Sequence, residues 1–121
     1  VIMLPDIIDL EKIIYLDSDL FVNTDIEELW NLNIDNYCLA AAQDCSTIRN
    51  WGTPYAVAAG QTTREDIFNA GVLCMNLDNI RKNGSLFQQV MDYLNDNPRT
   101  WLPDQDALNS IFSGETLLRQ L

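Results

Sequence analysis

Asp17-Ser18-Asp19 sets two carboxylates one residue apart, directly after the apolar run Lys12-Ile13-Ile14-Tyr15-Leu16. Such a pair can turn both carboxylates toward one hard cation, or bind the cation with one and hold a ribose or sugar hydroxyl with the other. In open α/β sheets, ligands collect at the carboxyl ends of strands, which is where this pair falls. A second pair, Asp104-Gln105-Asp106, follows Pro103. There the same spacing suits an ordinary helix start, with one acid as N-cap and one in the first turn. Asp is common enough in this chain for chance to supply a pair or two, so only the strand-end context singles out the first. Phe68-Asn69-Ala70-Gly71 is a third candidate. Ala and Gly let a ligand come close to the backbone, and an Asn amide can both donate to and accept from a sugar hydroxyl. The same residues fit a plain strand start beside a tight loop. Asp44 stands just past another apolar run.

The elements that must position these groups follow from pattern. Lys12–Leu16 is a short continuous apolar run, which predicts a strand buried on both faces, as in a parallel sheet. Thr24-Asp25-Ile26-Glu27 has capping-box spacing, and Ile26, Leu29 and Trp30 recur at helical intervals, so a short helix starts there. Tyr37–Ala42 reads as a second strand and Phe68–Asn76 as a third. The stretch from Cys45 to Arg64, with Gly52, Pro54 and Gly60, reads as a long loop. Asp78 is placed to cap a helical turn that closes at Gly84, with Arg81 and Lys82 near its end. Ser85 caps the next helix, whose stripe is Phe87, Val90, Met91 and Leu94, and Asn97-Pro98 stops it. Asp104 caps a last helix that carries Leu108, Ile111 and Phe112, with Gly114 beyond. Strands interleaved with helices predict an α/β layered fold in one domain or part of one, without internal repeats.

Composition bounds the chemistry. Seven basic against eighteen acidic residues give a net charge of −11. Nucleic acids and anionic membranes both want a basic footprint, so neither is an expected partner. The chain has no His. That excludes a Ser-His-Asp triad, a Cys-His dyad and a His-ligated metal within it, and leaves oxygen ligands suited to Mg²⁺, Mn²⁺ or Ca²⁺. Three Cys form neither a disulfide framework nor a zinc spacing. Cys38 and Cys74 sit in apolar runs and read as core residues, while Cys45 follows a strand and reads as exposed. No apolar run is long enough to span a bilayer, and Val1-Ile2-Met3-Leu4 lacks the basic start of a signal peptide, so a cytoplasmic location is expected.

Taken in order, four segments resemble glycosyltransferase family 8. They are Tyr15-Leu16-Asp17-Ser18-Asp19, Asn23-x-Asp25-x-x-x-Leu29, Phe68-Asn69-Ala70-Gly71-Val72 and Asp104-Gln105-Asp106-x-Leu108-Asn109. The resemblance covers nearly the whole chain and identifies residues 1–121 as the central part of one catalytic domain. It implies a GT-A (Rossmann-like) α/β fold and transfer of a hexose, galactose or glucose, from a UDP-sugar with retention of anomeric configuration. Mn²⁺ or Mg²⁺ would be the cofactor, and the acceptor a glycan, a lipid-linked sugar or a protein. Carried over by position, Asp17 and Asp19 would be the DxD contacts to metal and donor. Asn69, Ala70 and Asp104 would line the donor sugar. Gln105 would lie near the anomeric carbon, opposite the leaving UDP, and Asp44 would border the acceptor.

The resemblance also implies segments beyond these residues. The family's nucleotide-binding strands would precede Val1, which is not an initiator Met, and its metal-binding His and phosphate-contacting Lys would follow Leu121. The basic residue usual in the helix before the DxD strand is absent as well. Two carboxylates alone make an open, weak metal site, so activity is not expected from these motifs by themselves. Two rival readings remain at this level. One is an acidic α/β fragment that only binds ligand or metal. The other is a phosphohydrolase of the haloacid-dehalogenase kind with Asp17 as nucleophile, although that family expects Thr or Val where Phe21 stands.

Overall fold

The computed structural model describes residues 1–44 and 53–119. Strand β1 (Lys12–Leu16) follows a short helix α1 (Leu4–Ile7), and helix α2 (Ile26–Trp30) leads to strand β2 (Leu39–Gln43). Helix α3 (Tyr55–Ala58) precedes the long strand β3 (Phe68–Asn76). Helices α4 (Leu77–Arg81), α5 (Leu86–Asp96) and α6 (Pro103–Ile111) then lead into strand β4 (Thr116–Arg119).

The sheet order is β1-β3-β2-β4. Both neighbours of β3 run antiparallel to it, and among the described residues only β2 and β4 pair in parallel. The expectation of a parallel sheet around β1 is therefore corrected. All five residues of β1 are half-buried, because the strand lies at the sheet's edge. A continuous apolar run records burial on two faces but not strand direction, which the connections decide.

Alternation along the strands feeds two cores. Leu39 and Ala41 of β2 and Leu73 and Met75 of β3 point to one face, with Leu77 and Ile80 of α4, Leu86 and Val90 of α5, and Leu108 and Phe112 of α6. Ala40 and Cys74 point to the other, with Ile34 and the partly buried Ile14, Leu29 and Leu32. Burying a Leu-, Val- or Phe-sized side chain contributes about 1.5–3 kcal/mol, so the helix-covered face dominates stability. Helix α5 buries Leu86, Val90 and Tyr93, while Phe87 and Met91 stay largely exposed. The stripe is thus rotated from the one expected, since two apolar stripes interleave at helical spacing and packing on α6 selects this one.

Several caps differ from their sequence reading. Asp25, not Thr24, caps α2 by accepting from the Glu27 N–H at 2.9 Å. Asn76, not Asp78, caps α4 by accepting from the Asn79 N–H. Asp78 instead pairs with Arg81. An Asx side chain can cap from whichever position the chain entry aims it at the free N–H groups, so neighbouring candidates compete. The second strand runs two residues into its expected start, from Leu39, and one past its expected end. The expected loop holds α3, and Cys45 through Gly52 lie outside the described residues. Cys38 and Cys74 are buried as expected. No helix among the described residues is long and apolar enough to cross a membrane.

Candidate active site

A bulge in the β2–β3 pairing organises the site. Ala41 pairs with Leu73, but Ala42 already pairs with Asn69, so Ala70, Gly71 and Val72 bow out of register. Bulges of this kind re-aim backbone and side chains locally. On the other edge, the bowed segment meets the end of β1, where the Asp17 N–H donates to the Gly71 carbonyl at 2.9 Å. The Asn69 Oδ1 turns back onto its own strand and accepts from the Gly71 N–H at 2.8 Å.

Helix α6 presents its first turn to this bulge. The Gln105 Oε1 accepts from the Ala70 N–H at 3.2 Å, and its Nε2 donates to Asp44 Oδ2 at 2.9 Å. One carboxamide therefore joins the end of β2, the bulge of β3 and the start of α6. The buried Asn109 fixes that helix: its Oδ1 accepts from the Phe68 N–H and its Nδ2 donates to the Phe68 carbonyl, both at 2.8 Å. The same Nδ2 also donates to the Gln105 carbonyl at 3.0 Å. Asn109 thus pairs with Phe68 much as a neighbouring strand would.

Pro103 rather than Asp104 begins α6, and its N-cap, Leu102, has no capping side chain. Asp104 sits in the first turn, exposed, with Oδ1 accepting from the Gln105 N–H. The capping work falls to Asp106, which is 2% exposed and accepts from the Leu102 N–H and the Thr100 hydroxyl. The second Asp-x-Asp pair therefore splits into one outward carboxylate at the site and one buried structural carboxylate.

Asp17 and Asp19 are both exposed past the end of β1. The Asp17 carboxylate lies over Gly71, where an added Cβ would meet its Oδ2 at 2.9 Å and the Asn69 Oδ1 at 2.9 Å. The Tyr15 hydroxyl donates to Asp17 Oδ1 at 2.8 Å. That hydrogen bond, then partial burial and the charges of Asp17, Asp104 and Asp19, hold the Tyr15 hydroxyl above its ordinary pKa. Carboxylates from both Asp-x-Asp pairs thus act on one hydroxyl, which brings the start of α6 and the end of β1 into one electrostatic neighbourhood.

The sequence-predicted residues accordingly gather around the bulge: Asp44, Ala70 and Gln105 by direct hydrogen bonds, Asp17 and Asn69 through Gly71, Asp19 and Asp104 through their fields. Among the described residues, no three His, Cys, Asp or Glu side chains cluster as a metal cage. Asp17 and Asp19 offer hard carboxylate oxygens, which suit Mg²⁺ or Mn²⁺ as part of a donor set completed by other ligands. Sequence reasoning missed Tyr15 and Asn109 as parts of this centre. Tyr15 could have been found from its period-two spacing before Asp17, and Asn109 from its one-turn spacing after Gln105.

Residues 2–118 match glycosyl transferase family 8. The chain belongs to that family. It is 38% identical over 108 residues to a Haemophilus influenzae protein, with 88% of this chain and 32% of that protein covered. General stress protein A of Bacillus subtilis is 31% identical over 116 residues, covering 91% of this chain and 38% of its own. Among solved structures, the galactosyltransferase LgtC in complex with donor and acceptor sugar analogues superposes with a TM-score of 0.83 at 28% identity. That superposition covers 97% of this chain and 42% of LgtC. The fold of this family 8 chain is thus the GT-A α/β fold, and the chain spans less than half the length of each of these relatives.

Proposed function

We propose that this family 8 chain forms the donor-sugar half of a hexosyltransferase centre. It would transfer galactose or glucose from a UDP-sugar to a glycan, lipid-linked or protein hydroxyl, with retention of configuration. The observation that carries the reading is the Gln105 carboxamide held between Asp44 and the Ala70 N–H, on the strand bulge whose next residue, Gly71, lies under the Asp17 carboxylate. LgtC, with its donor and acceptor sugar analogues and a Gln→Glu variant of its active site among the solved structures, supports it.

In this reading Asp17 and Asp19 hold Mn²⁺ or Mg²⁺, which when bound neutralises charge on the departing diphosphate as a Lewis acid. Asn69, Ala70 and Asp104 line the transferred sugar and fix its hydroxyls. The Ala70 N–H takes one lone pair of Gln105 Oε1, and a carbonyl oxygen has two. The second stabilises positive charge at the anomeric carbon as the bond to UDP breaks. A neutral amide is a poor nucleophile, so the acceptor oxygen bonds to the face that UDP vacates, and its proton leaves with the diphosphate. Asp44 borders the acceptor and orients Gln105. Buried unpaired thiols at Cys38 and Cys74 accord with a cytoplasmic setting.

Calorimetric titration of UDP, with and without Mn²⁺, tests this against an Asp17→Ala/Asp19→Ala variant. Mn²⁺-dependent binding that the variant loses is the expected result. UDP binding indifferent to both metal and substitution would sink the assignment of Asp17 and Asp19.

A further inference from the structure

We infer that Tyr15 is a positioning residue whose hydroxyl pins the Asp17 carboxylate for cation binding, a role that rests on the donor-site reading above. Asp17 follows directly on the end of β1, two residues after Tyr15, within reach of its side chain. The Tyr15 ring packs against the helix-covered core, together with Ile13. Its hydroxyl reaches Asp17 Oδ1 at 2.8 Å.

The rest of Asp17 is equally confined. Its N–H is committed to the Gly71 carbonyl at 2.9 Å. Its Oδ2 lies over Gly71 so closely that a methyl group there would come within 2.9 Å. An exposed Asp in ordinary surroundings gives up rotamer freedom when it binds a cation, whereas this one gives up little because it is held beforehand. An ionised carboxylate can accept about four hydrogen bonds or ligand contacts, so one hydroxyl on Oδ1 leaves room for metal coordination.

The test uses the full-length protein, as wild type, Tyr15→Phe and Asp17→Ala. Phe keeps the packing ring and removes only the oxygen. Mn²⁺ alone is titrated and followed by the electron paramagnetic resonance of the free ion. UDP-sugar turnover is then measured against Mn²⁺ concentration, and melting temperatures are compared. Tyr15→Phe should weaken Mn²⁺ binding about tenfold, at the lower end of what loss of a ligand's hydrogen-bond partner does. The Mn²⁺ concentration for half-maximal turnover should rise in step, with kcat at saturating Mn²⁺ and the melting temperature little changed. Unchanged Mn²⁺ affinity in Tyr15→Phe, beside a loss in Asp17→Ala, overturns the positioning role and leaves the donor site standing. Full Mn²⁺ affinity in Asp17→Ala removes the donor-site reading, and the role of Tyr15 with it.

Discussion

Asp44, at the end of β2, and Gln105, in the first turn of α6, meet through a 2.9 Å hydrogen bond from Nε2 to Oδ2 across 61 residues of chain. The bond fixes which end of the carboxamide faces which neighbour. With the nitrogen committed to Asp44, the oxygen must face the Ala70 N–H. Were the amide reversed, two oxygens would oppose each other at Asp44 and two donors at Ala70. Asp44 therefore selects the orientation in which Gln105 offers negative charge.

It follows that Gln105→Ala should lower kcat by about 100-fold, the scale of removing one preorganised polar group, with UDP affinity nearly unchanged. Asp44→Asn keeps an oxygen for Gln105 and should cost less than Asp44→Ala. Single-turnover rates on the full-length protein would check both. Equal losses in the two Asp44 variants would show that amide orientation is not what Asp44 supplies.

Gly71 is constrained by a close approach rather than by its backbone angles. A Cβ there would press on the ends of two side chains, Asp17 and Asn69, each at 2.9 Å. Such ends can move, so Gly71→Ala should cost only about 1–2 kcal/mol of stability, within the usual cost of overpacking. The displaced Asp17 carboxylate should nonetheless lose Mn²⁺-dependent UDP binding. Urea unfolding and calorimetry together separate the two effects, and intact Mn²⁺-dependent UDP binding would show that the carboxylate is not held where ligand needs it.

The contrast between Asp104 and Asp106 shows what was legible in the sequence. Spacing presented two equivalent carboxylates, yet one faces the site and the other is 2% exposed beneath it. Helical rotation of two residues separates them, and Pro103 at the first position shifts the cap from Asp104 to Asp106. Phe68–Asn76 was readable to the residue, because β-formers and small residues ended cleanly at Asn76, which caps the next helix. Direction and register were not readable: the antiparallel β1–β3 pairing and the bulge at Ala70–Val72 arise from contacts distant in sequence. The residues named from the four short motifs lie around that bulge, but their hydrogen-bonded partners, Tyr15 and Asn109, depend on which face each element turns inward. β4 was missed because Thr116–Arg119 is too short to stand out without its partner β2.

Asn109 is the strongest test of how α6 is held. It is 1% exposed, and its amide answers both the N–H and the carbonyl of Phe68. Asn109→Leu keeps the volume but leaves those buried groups without partners, at about 1–3 kcal/mol for each group lost. A fall of about 3 kcal/mol in unfolding free energy is expected from urea denaturation. Turnover should fall as well, since the same side chain holds the Gln105 carbonyl. A stability loss under 1 kcal/mol would mean that packing alone seats the helix.

Alkaline pH should destabilise the fold through Cys38. Burial first, then the hydrogen bond from its thiol to Glu115 Oε2 at 2.9 Å, push its pKa from 9.0 up to about 12. The folded chain thus keeps a proton that the unfolded chain releases. By linkage, the stabilisation is complete below pH 9 and is lost progressively as pH rises from about 9 toward about 12. Tyr93, raised from 10.0 to about 12 chiefly by burial, acts in the same sense over the upper part of that window. Urea midpoints should therefore fall between pH 9 and pH 11, and Cys38→Ala should lessen the fall over its first unit, where Tyr93 contributes little and the rest comes from Cys74, also raised from 9.0 by burial. Iodoacetamide at pH 8 should leave Cys38 unmodified in the folded chain and label it after unfolding, because the thiolate is the reactive form. Rapid labelling of Cys38 in the folded state would contradict both its burial and its raised pKa.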